Sequence, residues 1–482
     1  MSKEIEKEDQ KLKYKQRKLT PKQQKQLDEL IERNKDIFAK DDYDIGRTNV
    51  TTHKIDIGNE KPFKQKAFRV AQKEKLIIKK EIDEMLKKGI IEESYSPWSS
   101  PVVLVTKKNG KTRFCVDYRK LNEITKKDNH PIPRIDEMLD KFQGSQWFTS
   151  IDLKSGYWNV MMDEKDKEKT AFITSEGLYQ FNVMPFGLCN APGTFQRLMH
   201  KVLGNLIYTK APVYLDDINI HSQTFEQHLI DIQEVFDKLR NARLKLGKDK
   251  CHFCKDEIEF LGYVVSKDGI KTDEKKIQKI RDFPRPNDVT QLRGFLGLAG
   301  YYRRFIKDYA KHCKPMNKLL AKDEPFIWGK DQQKSFDKIK QKLITSPVLI
   351  YPDFNRPFRL YTDASKIALG AVLQQKSDDD KEHPVAFLSR TLNKTEQQYH
   401  STELECMAVK WAVEKLSHYL KGRKFTVISD YKNLKWWFNN LKDDGGRRAR
   451  WRIFMQQYNF DVEYKKGVEN KVADALSRAH YE

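Results

Sequence analysis

The chain has 482 residues, too many for a single hydrophobic core, so two or more packed units are expected. Hydrophobic residues make up 38%, with 26 Phe, 20 Tyr and 8 Trp, enough core material to exclude a largely disordered chain. Lys and Arg number 91 against 69 Asp and Glu; the resulting +22 points to a polyanionic partner, because cationic side chains displace counterions condensed on phosphates.

Residues 1–40 are densely charged, open without a leader-peptide pattern, and show a helical period only near Leu27–Phe38, which predicts an arm or a frayed helix. PVVLVTKK (101–108) and TRFCVDY (112–118) flank Asn109-Gly110, a strong hairpin signal. QWFTSIDL (146–153) and PVYLDDINIHS (212–222) read as strands, and APGTFQRLMHKVLGNL (191–206) between them as a helix. Cys251, His252 and Cys254 lack a second Cys/His pair at zinc-finger spacing, and the scattered cysteines suit a reducing compartment. From Thr272 to about Ile344 the helical pattern dominates. Within it Gly294, Gly297 and Gly300 recur at a spacing that suggests close helix packing. SPVLIYPDFNRP (346–357) reads as a connector because of its prolines. FRLYTDAS (358–365) is a fresh strand that opens a second domain, expected to continue strand, helix, strand, helix to the end. The mixture indicates α+β or α/β units, and no run is apolar enough to span a membrane.

Two sets of acids carry chemistry. Nucleotidyl transfer needs two divalent metals, one to activate the attacking 3′-hydroxyl and one to neutralise the leaving pyrophosphate. Tyr214-Leu215-Asp216-Asp217 puts paired acids at a strand-to-strand turn among apolar residues, which is costly unless a cation compensates. Successive strand residues face opposite ways, so Asp216 and Asp217 cannot point equally into one site and a further acid is required. Asp152 can supply it, at the end of the apolar strand Trp147–Ile151.

Cutting RNA within a hybrid is also two-metal chemistry, served by carboxylates from dispersed positions. Asp363 lies in TDAS, Asp430 ends FTVISD, and Asp474 lies in NKVADALSR. The helix at 402–420 offers Glu403 and Glu405. Glu405 shares a face with Ala408, Val409, Ala412 and Leu416, whereas Glu403 shares one with Lys410 and Glu414, so Glu405 is the expected ligand.

SPWSSPVVLVTKKNGKTRFCVDYRKLN (96–122), SIDLKSGYW (150–158), KTAFIT (169–174), GLYQFNVMPFGLCNAPGTFQRLM (177–199), YLDD (214–217) and FLGYVVS (260–266) come in that order. TDAS, ELECMAVKWAV, SDYKNLKWW and NKVADALSR follow them. Together these runs resemble the reverse transcriptase and fused ribonuclease H of Gypsy-type LTR retrotransposons, from about Leu19 to Arg478. The resemblance implies an α+β right-hand polymerase of fingers, palm and thumb, followed by an RNase H-like α/β domain. Its implied domains are a charged arm (1–40), fingers and palm (41–250), thumb (251–345), a connector (346–357) and ribonuclease H (358–482), with no retroviral connection domain.

The family's polymerase acids carry over onto Asp152, Asp216 and Asp217, and its ribonuclease acids onto Asp363, Glu405, Asp430 and Asp474. Each set implies two Mg²⁺ ions, with Mn²⁺ as a substitute. Arg113 resembles the arginine on the incoming triphosphate, with Lys107 or Lys108 adding a second charge. Tyr157 sits where the family has an aromatic steric gate, and Phe186 where retroviral enzymes carry glutamine. Leu261-Gly262-Tyr263 resembles the primer grip. The retroviral loop histidine before the last Asp is missing, with Tyr464 or Lys466 as replacement.

Implied partners are an RNA template, a DNA or tRNA primer, the RNA/DNA hybrid and dNTPs, with a homodimer around substrate and no membrane. The implied location is the cytoplasm, within virus-like particles, for one processed piece of a polyprotein. With all seven acids intact, a catalytically dead nucleic-acid-binding protein is the weaker reading, and a DNA polymerase of another class leaves the second set of acids unexplained.

Overall fold

The computed structural model describes residues 18–41, 44–106, 112–439 and 446–465, and the chain divides into two units between Ile258 and Glu259. The first unit contains helices α1 (Pro21–Arg33) and α2 (Gln72–Lys87), then strands β1 (Ile91–Glu93), β2 (Ser100–Thr106), β3 (Thr112–Val116), β4 (Trp147–Asp152), β5 (Phe172–Ile173) and β6 (Leu178–Phe181). Helix α3 (Ala191–Leu203), strands β7 (Val213–Tyr214) and β8 (Asp217–Ser222), helix α4 (Phe225–Asn241) and strand β9 (His252–Lys255) follow, with shorter helices and strands between them.

Two larger sheets have the orders β1-β6-β5-β2-β3 and β9-β4-β8-β7, and a small parallel one pairs Thr52–His53 with Met161–Met162. The expected hairpin is β2 against β3, with Val105 opposite Arg113; the Asn109-Gly110 turn lies outside the described residues. In the second sheet β8 runs antiparallel to β4, from Asp217 opposite Asp152 to Ser222 opposite Trp147. Ile151, Ile218 and Ile220 of this sheet share a buried core with Phe195 of α3 and Ile232 and Phe236 of α4. Each such side chain stabilises by about 1.5–3 kcal/mol. A left-handed residue costs about 1–2 kcal/mol, so this layer can hold a strained turn at the end of β8.

Residues 21–33 are a docked helix and not a free arm. Thr20 and Gln23 cap each other reciprocally and Pro21 opens the first turn. Leu27 and Leu30 are buried, while Asn34 bonds Gln233 at 2.8 Å and Asp36 pairs with Arg240 at 2.7 Å on α4.

The second unit starts within a three-stranded sheet of β10 (Glu257–Phe260), β11 (Tyr263–Ser266) and β12 (Gly269–Thr272). Helices α5 (Glu274–Arg281), α6 (Val289–Tyr301), α7 (Tyr309–Lys318) and α8 (Lys330–Ile344) follow. Asp273 and Asp288 cap α5 and α6 through backbone N–H groups of their first turns. Gly294 and Gly297 are not packing contacts, as the sequence suggested: a β-carbon at either would meet no atom within 4 Å. Only Gly300 is close to a neighbour, the Tyr309 hydroxyl at 3.4 Å. The connector is pinned, with Leu349 bridging Ile270 and the Tyr351 hydroxyl donating to the Ser266 carbonyl at 3.0 Å.

Beyond it lie β13 (Phe358–Ala364), β14 (Ala368–Lys376), β15 (Glu382–Thr391), α9 (Ser401–Lys415), β16 (Lys424–Ser429), α10 (Leu434–Asn439), α11 (Gly446–Met455) and β17 (Asn459–Tyr464). The mixed sheet has the order β15-β14-β13-β16-β17 and buries Phe358, Leu360, Leu373 and Val427 against Ala408, Val409 and Ala412 of α9. Two of its strands, β15 and β17, differ from the expected strand–helix alternation. Pro384 hides β15 from sequence reading, and the strand tolerates it as an edge with a register shift at Leu373/Gln374. Strand β17 is the opposite edge and lacks a buried face along most of its length. Among the described residues no helix is long and apolar enough to cross a membrane.

Candidate active sites

The first site is built on the β7–β8 turn. Leu215 has φ +57°, a left-handed conformation that reverses the chain tightly enough for Asp217 to pair with Tyr214 on one side and Asp152 on the other. Asp216 stays in the turn and Asp217 opens the strand, which resolves the alternation problem: the two acids do not belong to one pleated run. Burial, then the charges of Asp216 and Asp152, pushes Asp217 up to about 6. Burial and Asp152 also raise Asp216. The three expected carboxylates therefore feel one another, and Lys250 Nζ holds Asp152 Oδ2 at 2.9 Å.

Sequence reading missed the brace beneath this turn. Gln196 is fully buried on α3; its Oε1 accepts from Leu215 N–H at 2.9 Å and its Nε2 donates to the Val213 carbonyl at 3.3 Å. A glutamine between Phe195 and the buried Leu198 and Met199 was the available signal, since a buried amide must find partners.

Aromatic side chains line the approach. Tyr157, in a short 3₁₀ turn (Gly156–Asn159), stacks on Phe186 with centroids 5.2 Å apart and leans on Phe195 at 5.4 Å. Burial, then the negative charge of Asp216, raises its hydroxyl pKa, so the phenol lies within electrostatic reach of the acids. Arg113 sits over the opposite partner, its guanidinium carbon 5.1 Å from the Phe186 centroid. Arg113, Phe186 and Tyr157 thus stack in series, with Asp216 close enough to act on the Tyr157 hydroxyl. Lys107 and Lys108 lie outside the described residues.

At 261–263 the β10–β11 turn carries φ +49° at Leu261 and +77° at Gly262. Tyr263 is buried against Tyr301 and Phe305, so only the Leu261-Gly262 backbone is available to a partner, not the Tyr263 ring.

The second site gathers Asp363 at the end of β13, Glu405 on α9 and Asp430 after β16. Strands β13 and β16 are parallel neighbours, so their carboxyl-terminal ends lie side by side. Burial pushes Glu405 up to about 8, with Asp430 and Asp363 adding to it, and burial, Asp308 and Asp430 raise Asp363. Asp474 lies outside the described residues, as does Lys466; Tyr464 ends β17 and is exposed. Glu403 departs from expectation. It is buried and bridges Arg447 at 3.0 Å and Arg448 at 3.1 Å, which hold its carboxylate below the usual range against the cost of burial. Its helical face meets α11 and not water. That leaves Glu405 as the helix's acid toward Asp363 and Asp430.

Glu405 Oε2 is buried with no hydrogen-bond partner among the described residues, an orphan that a cation would satisfy. Among those residues no group of three or more acidic, histidine or cysteine side chains is placed to hold a metal ion by itself. Magnesium needs none, since one or two carboxylates usually hold it while waters and substrate phosphates fill its octahedron. Both sets offer the hard oxygen donors such a cation takes, and in the second the orphaned Glu405 Oε2 is the atom that fits it.

Residues 105–265 match the reverse transcriptase (RNA-dependent DNA polymerase) family, and residues 328–427 match the RNase H-like domain found in reverse transcriptase. Residues 2–76 match the spumavirus aspartic protease family but contain no Asp-Ser-Gly or Asp-Thr-Gly. The retrovirus-related Pol polyprotein from transposon 297 of Drosophila melanogaster is 44% identical over 459 residues, covering 94% of this chain and 43% of the relative. That from transposon opus of the same organism is 40% identical over 418 residues, covering 83% and 42%. The chain thus spans less than half the length of the curated relatives it matches. The foamy viral protease–reverse transcriptase solved with double-stranded DNA superposes with a TM-score of 0.83 at 22% identity, covering 97% of this chain and 98% of the other. The same viral enzyme solved with RNA/DNA hybrid gives 0.77 at 22% identity, covering 93% and 61%. At that identity the likeness establishes the fold.

Proposed function

The chain belongs to the reverse transcriptase–ribonuclease H family of LTR-retrotransposon Pol polyproteins, and we propose from this that it copies RNA and then DNA into DNA and cuts the RNA strand of the hybrid. The observation that carries the reading is the pair of carboxylate clusters, Asp152, Asp216 and Asp217 in one unit and Asp363, Glu405 and Asp430 in the other. A single-function enzyme needs only one. In this reading residues 41–250 are fingers and palm, 251–345 thumb, 346–357 connector and 358–482 ribonuclease H, with Asp474 completing the second cluster.

Such domains generally depend on divalent metal ions. We assign magnesium, replaceable by manganese, on the hard oxygen donors. When bound, the metal lowers the pKa of the attacking oxygen and offsets charge on the leaving group. Asp152, Asp216 and Asp217 hold the polymerase site. Arg113 clamps the triphosphate bidentately, with Lys107 or Lys108 beside it. The Leu261-Gly262 backbone steadies the primer terminus. In this reading the substrates are dNTPs on an RNA template with a DNA or tRNA primer, and we propose a homodimer around the hybrid and action within cytoplasmic virus-like particles. Extension of oligo(dT) on poly(rA) with Mg²⁺ tests the reading. Dependence on template, primer and metal is expected, and no synthesis by the folded chain refutes it.

Tyr157 is the proposed steric gate. Its ring, held between Phe186 and Phe195, cannot retreat from a ribose 2′-hydroxyl. Overpacking costs about 1–3 kcal/mol, so exclusion of ribonucleotides by this contact is about 5- to 150-fold. Tyr157→Ala is expected to collapse the dNTP/rNTP ratio of kcat/KM by that factor and to slow synthesis overall. An unchanged ratio removes Tyr157 from the role.

Hybrid affinity is expected to fall by about 10³–10⁵ between ~50 and ~200 mM salt if the excess charge neutralises ~6–10 phosphates. A filter-binding titration that stays flat would show that the +22 does not follow a nucleic-acid track.

A further inference from the structure

The Leu261-Gly262 turn is held by a device that the catalytic reading does not use. Two consecutive turn carbonyls accept from two consecutive tyrosines at the end of α6: Tyr301 Oη donates to the Leu261 carbonyl, and Tyr302 Oη to the Gly262 carbonyl at 2.6 Å. The contact is returned, because Tyr263 Oη donates to the Tyr301 carbonyl at 3.2 Å. The rings reinforce it, with Tyr263 stacked on Tyr301 at 5.1 Å and edge-on to Tyr302 at 5.6 Å. Lys276 lies over the Tyr301 ring at 5.4 Å, and a side chain at position 262 would collide with its ammonium.

A non-glycine residue at φ +49° is unfavourable and persists only where its surroundings over-determine it. Tyr302 is fully buried, so its hydroxyl is fixed by the packing of α6. The turn therefore inherits the rigidity of the helix.

We propose that Tyr301 and Tyr302 are positioning residues for DNA synthesis, fixing the backbone that the Leu261-Gly262 turn presents to the 3′-terminal nucleotide of the primer. The inference rests on reading that turn as the primer grip. Two hydroxyls set the height and tilt of the turn, and a misplacement of about 1 Å at a reacting centre costs on the order of 10²-fold in rate. Both hydroxyls are engaged with turn carbonyls. The signature is a lower rate of addition with dNTP affinity and hybrid affinity retained.

The test compares Tyr301→Phe, Tyr302→Phe and the double variant in the full chain, by single-nucleotide addition on a primed RNA template. Each phenylalanine keeps its ring and removes one hydrogen bond, so about a 2- to 10-fold fall in maximal rate is expected singly. The double variant should fall by about 10- to 100-fold, with dNTP KM, hybrid Kd and RNA cleavage unchanged and the melting temperature lowered only by the loss of two ordinary hydrogen bonds. Gly262→Ala, which distorts the turn itself, serves as reference. If Gly262→Ala slows addition and the double variant does not, the turn is a primer grip but the tyrosines do not position it. If neither slows addition, the primer-grip reading fails and this inference with it. A parallel loss of melting temperature and RNA cleavage in the double variant would make the tyrosines merely structural and overturn the proposal.

Discussion

Asp216→Asn is expected to lower DNA synthesis by about 10³-fold or more while leaving cleavage of hybrid RNA near the wild-type rate. The substitution keeps the shape of the side chain and removes a charge from a cluster whose three members already interact. Charge stabilisation by a bound metal supplies several kcal/mol, and ~4 kcal/mol is about 10³ in rate. Unfolding cannot account for the loss. Burial raises the Asp216 pKa, so the folded chain disfavours its charge and a neutral amide relieves that cost. Primer extension, RNA cleavage and a thermal melt on one preparation check the prediction. Loss of both activities in a protein that melts normally would contradict separate sites.

Glu405→Gln should give the reciprocal result, loss of RNA cleavage by about 10³-fold with DNA synthesis retained. It should also stabilise the protein in chelator, with a definite pH dependence. The folded-state pKa is raised from 4.5 to about 8, so between those values the native state binds the proton more tightly than the unfolded one. Stability contributed by the protonated form is present below the lower value and lost as pH rises through the upper. The melting temperature of Glu405→Gln should therefore exceed that of the parent increasingly from acid to about pH 8 and then level off. Glu403→Gln should behave differently. Weakening its two arginine bridges destabilises α11 against α9, lowering the melting temperature and reducing cleavage only indirectly.

The acids were legible because their chemistry is written in residue type and local context: an acid ending an apolar strand, a pair at a turn, a glutamate on a helix face. The antiparallel β2–β3 pairing and the α3 helix were legible for the same local reason. What escaped depends on partners far along the chain. Lys250 meets Asp152 across 98 positions, Arg447 meets Glu403 across 44, and neither leaves a spacing pattern to read. The helical-face argument put Glu405 on the core side, where its carboxyl feels Asp430 and Asp363, but it gave no sign that the charged face bearing Glu403 is covered by a charged helix. Strand β15 was lost to its proline, whose tolerance depends on the strand being an edge, a property of the sheet and not of the segment. The glycines of α6 signalled close approach, but periodicity cannot say whether anything approaches.

One measurement separates the central claim from its rivals: an RNA template labelled at one end and a DNA primer labelled with a second dye, annealed and supplied with dNTPs and Mg²⁺. The parent chain, Asp216→Asn and Glu405→Gln are followed in parallel. The account predicts that the parent lengthens the DNA and shortens the RNA, that Asp216→Asn only shortens RNA, and that Glu405→Gln only lengthens DNA. A parent chain that does neither, or variants that lose both signals together while still folded, would contradict it.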